Sequence, residues 1–187
     1  TEKFFTIPVS TNPAVKVIAQ SILRQNEKNK FVESLVKKIG YPKWDKAIIA
    51  TQSGLIRTET ENNEPDSILY IPFAIPDSNT TAAVLVVGIE PADTVYNLLY
   101  PQIYQQYGFD TTATGWNARN VFQLFSEFDY SLFGNKVFKV TDGRIFGHNE
   151  NDTLIVNRQE PNNAGRIGIE TFVEVCMSYT VTTSCGC

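Results

Sequence analysis

The chain has one histidine, one methionine and three cysteines, and only 19% of its 187 residues are charged. Each shortage removes a class of function. With His148 alone, a histidine-rich metal site is excluded, and a catalytic relay would need all its other members from different residue types. No Gly-x-Ser-x-Gly elbow occurs, and Asn163-Ala164-Gly165-Arg166-Ile167-Gly168 lacks both the full glycine set and the lysine of a phosphate loop. No apolar run approaches the roughly 20 residues of a spanning helix, so no membrane span is expected. The formal net charge of -4 gives no electrostatic pull toward phosphate backbones, and nucleic acid is not an expected partner. Thr1-Glu2-Lys3-Phe4-Phe5 lacks a charged-then-apolar leader pattern, so the chain is either cytosolic or has lost its signal.

What is present is a folded composition, 42% hydrophobic and 12% aromatic. The length suits one core, and neither a repeat nor a linker divides it, so residues 1–187 read as a single domain. The densest β-forming stretch is Ser67-Ile68-Leu69-Tyr70-Ile71-Pro72-Phe73-Ala74-Ile75, a turn through Pro76-Asp77-Ser78-Asn79-Thr80, and Thr81-Ala82-Ala83-Val84-Leu85-Val86-Val87-Gly88-Ile89. Branched and aromatic residues suit a pleated surface, while Asp, Ser and Asn favour the turn. The second arm is apolar at nearly every position, as a central strand covered on both faces would be.

Around this hairpin the periodicities predict helices. After an extended lead-in over residues 6–11, Asn12 is placed to cap and Pro13 to begin a helix that buries Val15, Ile18, Ala19, Ile22 and Leu23. A polar link at residues 26–29 leads to a second stripe, Phe31, Val32, Leu35, Val36 and Ile39. Lys37 and Lys38 complement its C-terminus, and Gly40 is placed for a left-handed cap. The two segments read as a helical hairpin or one bent helix. Residues 44–51 read as a strand anchored by Trp44, residues 55–60 as an edge strand, residues 61–65 as a loop and residues 94–100 as a strand. Residues 101–108 fit either helix or loop. Residues 115–133 form a third helix with an aromatic face, capped by Thr114 and stopped by Gly134-Asn135. Lys136 to Val140 alternates as a half-buried strand, turns at Asp142-Gly143 and returns through Arg144 to Gly147. Residues 153–156 and 170–182 supply further strands. The expected fold is α+β, a mainly antiparallel sheet covered by the N-terminal helical hairpin and one central helix.

Chemistry is sparse. Asn149-Glu150-Asn151-Asp152 offers oxygen ligands without the glycine and distal glutamate of a calcium loop, so no metal and no cofactor is expected. The acid pairs Glu127 with Asp129 and Glu59 with Glu61 read as solvated surface. Cys176, Cys185 and Cys187 are disulfide candidates: a bond from Cys176 to either of the others closes a loop of about ten residues worth about 2–3 kcal/mol. Their clustering favours an oxidising compartment, and the odd count leaves one thiol over. The sequons Asn79-Thr80-Thr81 and Asn151-Asp152-Thr153 are compatible with that. Tyr96, Tyr100, Tyr104, Tyr107 and Trp116, with Phe109, crowd one stretch; rings with polar tips serve recognition surfaces, although core packing is the favoured reading of these.

The segment over residues 29–47, with its Tyr41-Pro42-Lys43-Trp44-Asp45 turn, together with the apolar strand pair and cysteine-bearing tail, resembles the N-terminal part of uncharacterised exported or lipid-anchored proteins of Bacteroidetes bacteria. Asp66-Ser67-Ile68, Asp93-Thr94-Val95 and Asp152-Thr153-Leu154 are similar to the O-glycan acceptor pattern of such bacteria. The resemblance implies the cell envelope, and the family has no established activity or catalytic residues to carry over. The expected function is therefore a noncatalytic secreted or cell-envelope module, at the cell surface or in the periplasm with its signal removed. It would bind a protein or glycan partner through its aromatic surface, as a building block of an assembly. The alternative is a hydrolase using carboxylates near His148.

Overall fold

The computed structural model describes residues 1–51, 67–89, 94–101, 118–140, 154–158 and 179–183, and within them the chain is α+β with antiparallel strands. The chain forms two compact units, Thr1–Tyr100 and Pro101–Cys187.

In the first unit, helix α1 (Pro13–Asn29) begins where expected, because the Asn12 side chain accepts the Ala14 N–H at 2.9 Å and satisfies one of the orphan donors of the first turn. Val15, Ile18, Ala19 and Ile22 are buried as their spacing requires, whereas Leu23 is 37% exposed. The expected polar link is corrected. Residues 26–29 are the last turn of α1, and the chain breaks only at Lys30, whose φ of 52° is left-handed and whose N–H bonds the Asn26 carbonyl. Two helices result rather than one bent one. Helix α2 (Val32–Ile39) buries Val32 and Ile39 and half-buries Leu35 and Val36. Gly40 ends it with φ 79° and ψ -147°, an extended positive-φ conformation in place of the left-handed cap expected.

Strand β1 (Tyr41–Pro42) follows at once, and Trp44–Lys46 is a 3₁₀ turn, so the strand expected from residue 44 begins later, as β2 (Ile48–Thr51). The reason lies at Trp44, whose indole N–H donates to the Phe4 carbonyl at 2.8 Å and turns the ring into the core. Phe4 itself lies in a 3₁₀ turn, Glu2–Phe5, ahead of the extended lead-in, with its ring edge-on to Trp44 at 5.9 Å and tilted against Phe73 at 6.0 Å. Burying a ring of this size contributes about 2–3 kcal/mol.

The hairpin forms as β3 (Ser67–Ala74) and β4 (Ala83–Ile89), with Ser67 opposite Ile89 and Phe73 opposite Ala83. Strand β5 (Thr94–Leu99) pairs with β4, while β1 and β2 both pair with β3, giving a five-stranded sheet. One face carries Leu69, Ile71, Phe73, Ala83 and Val87 into the core shared with Val15, Ile18, Ile22, Val32 and Trp44. The alternate positions Tyr70, Pro72, Val84, Val86 and Leu99 are buried too, so β4 is covered on both faces, as its unbroken apolar run predicts.

In the second unit, helix α3 (Ala118–Phe133) buries Val121, Leu124, Phe125 and Phe128, the i, i+3, i+4, i+7 stripe of an amphipathic helix. It stops at Gly134, where φ is 74° and the N–H bonds the Tyr130 carbonyl at 2.9 Å. Strands β6 (Val137–Val140), β7 (Leu154–Arg158) and β8 (Tyr179–Thr183) form a three-stranded antiparallel sheet in that order. Phe122 of α3 meets Phe138 of β6 edge-on, centroids 5.9 Å apart. The described partner of β6 is β7, with Val140 opposite Leu154. The expected elements at residues 55–65, 102–108, 114–117, 142–147 and 170–178 lie outside the described residues. No helix among the described residues is long and apolar enough to cross a membrane.

Candidate functional site

Strand alternation sorts the candidate tyrosines. On β5, Tyr96 and Leu98 point to the helix-covered face with Tyr100 just beyond, while Val95, 41% exposed, and Asn97 point the other way. Tyr96 and Tyr100 are half-buried, each packed against the core of the first unit. The Tyr96 hydroxyl donates to Ser21 Oγ of α1 at 3.1 Å. That bond ties the last described strand of the sheet to the helix across it and fixes the ring's tilt. A ring so held has already lost the rotamer freedom that a contact with a partner would otherwise remove. No spacing in the sequence announces the Ser21 to Tyr96 pair, because its members are 75 residues apart.

The second unit carries a recess of about 110 Å³ lined by Pro101, Val121, Phe122, Phe125, Ser126, Asp129 and Phe138. Its walls are mostly rings and aliphatic carbon, and the Ser126 hydroxyl is engaged with the Gln123 carbonyl at 3.0 Å. A space this size takes a group like isopropyl; pockets for whole metabolites run to about 300 Å³ or more.

Among the described residues, no three His, Cys, Asp or Glu side chains stand together as a metal would require. His148, the Asn149 to Asp152 run, Cys176, Cys185, Cys187, Tyr104, Tyr107 and Trp116 lie outside the described residues. Among the described residues, the strongly perturbed ionisable group is Tyr70, at the centre of β3, whose phenol is pushed up from its usual 10.0 to about 12 by burial. It sits 3% exposed opposite Val86 and Ile48, in a strand interior and not in a cleft. Among the described residues, the candidate site is a half-buried tyrosine ring held against α1, with exposed polar side chains on that helix. No protein family, curated protein or solved structure matches this chain.

Proposed function

We propose that the protein is a noncatalytic secreted or cell-envelope module that binds a protein or glycan partner through the ring-bearing surface beginning at Tyr96 and Tyr100. The observation supporting this reading is the Tyr96 to Ser21 bond, which holds a half-buried ring at the last described strand of the sheet. Tyr104, Tyr107 and Trp116 follow in sequence and supply further rings to the same segment. Rings with polar tips stack on the apolar faces of sugars or fill pockets on proteins at small entropic cost.

The test is to screen the full chain against an immobilised panel of defined oligosaccharides, beside a variant in which Tyr100, Tyr104, Tyr107 and Trp116 are all serine. Binding by the wild type and its loss in the variant is the expected result. Equal binding by both, or glycan hydrolysis that disappears in His148→Ala, would replace the reading with the hydrolase alternative or with a different surface.

A further inference from the structure

Charge is unevenly spread along the chain. Residues 1–46 hold nine Lys and Arg against four Asp and Glu, a net of +5, so the remaining residues carry -9 of the total of -4. The whole-chain value conceals this. All nine cations of that segment are exposed or half-buried. Lys37 pairs with Glu33 at 3.3 Å, Lys16 donates to the Val9 carbonyl at 2.9 Å, and Lys3 lies 4.7 Å from the Tyr41 ring centroid.

Two cations stand where the tyrosine surface meets α1. Counting along that helix from Ser21, Arg24 is at i+3, Gln25 at i+4 and Lys28 at i+7, so the four share neighbouring rows running about 10 Å along the axis. Ser21 is the residue that accepts the Tyr96 hydroxyl. Arg24, Gln25 and Lys28 are exposed, and neither cation makes an ion pair among the described residues. A half-buried ring, an amide and two solvated cations thus follow one another across a single surface of the first unit.

We infer that this row, Tyr96 with Ser21, Arg24, Gln25 and Lys28, takes an anionic oligosaccharide, a chain of uronate or sulfated sugars. The inference rests on the glycan form of the function proposed above and names its charge. The ring supplies a stacking face, Gln25 hydrogen-bonds hydroxyls, and Arg24 and Lys28 meet carboxylates or sulfates a helical turn apart. An extended duplex or bilayer fits less well, since the two cations lie on a single helix of a chain whose net charge is -4.

The test titrates the full chain with uronate and sulfated oligosaccharides, neutral glucose oligomers and polyglutamate. The expected result is binding of the acidic sugars alone, weakening as salt rises from about 50 to about 200 mM, because exposed cations are screened. Arg24→Gln with Lys28→Gln should weaken that binding about tenfold or more at low salt, by analogy with charge-dominated polyanion contacts. The melting temperature should stay in place, since both side chains are solvated. Equal binding of neutral and acidic sugars would overturn the charge inference and leave the glycan reading standing. Polyglutamate bound as tightly as the sugars would overturn the sugar class. Binding of no saccharide at all would remove both.

Discussion

Two glycines separate backbone conformation from packing. Gly40 and Gly134 both end helices at positive φ, 79° and 74°, but a Cβ on Gly40 would collide with the Ala74 carbonyl oxygen of β3, whereas one on Gly134 meets nothing within 4 Å. Gly134→Ala should cost about 1 kcal/mol, the price of a left-handed alanine. Gly40→Ala should cost about 3 kcal/mol or more, because main chain cannot move aside as a flexible side chain can. Urea midpoints of the two variants check the difference. Sequence alone foresaw a stop at each position, since Lys37, Lys38 and Pro42 surround one and Asn135 follows the other. It did not foresee the contact with β3, which depends on pairing 34 positions away. Tyr70 gives a second expectation at this scale. Its folded phenol titrates near 12 and its unfolded one near 10.0, so the stability linked to it is intact below pH 10 and declines as pH climbs toward 12. In Tyr70→Phe, thermal melts across that range should lose less stability with rising pH than the wild type does.

The elements that were legible were those with a period. The α1 stripe, the α3 stripe and the unbroken apolar arm of β4 were all placed from spacing, because burial imposes 3.6 or 2 on any sequence that makes a half-covered helix or strand. Short elements were not. The 3₁₀ turns at Glu2–Phe5 and Trp44–Lys46 have too few residues for a period and exist because one ring set closes over another. Asn26 misled for a different reason: in a run of polar residues it looks solvated, yet it is 6% exposed, and its Oδ1 accepts the Val32 N–H at 2.9 Å at the start of the next helix. A cap donated from the preceding helix leaves no mark beside the helix it serves. Asn26→Ala strands that buried N–H and should cost about 1–3 kcal/mol, measured as a shift in the denaturation midpoint at unchanged m-value. The candidate site was half legible: ring density pointed to Tyr96 and Tyr100, but the serine that orients one of them came only from the fold.

For the whole molecule, the cysteines test the compartment. If the proposed secreted module is right, the denatured, unreduced chain should titrate one thiol and the reduced chain three, the total in the sequence. Three thiols without reduction would place the protein where disulfides do not form. The contact between Phe4 and Trp44 spans 40 positions, against a connection of eight residues joining β3 to β4. Closing the long loop costs more chain entropy, so the hairpin has the kinetic advantage and the N-terminal turn docks late. Phe4→Ala should accordingly speed unfolding in stopped-flow chevrons while leaving the refolding limb nearly in place. The lifetime of the folded state, and with it resistance to proteases, would then be governed by the four-residue turn Glu2–Phe5 acting as a latch on a sheet that assembles without it.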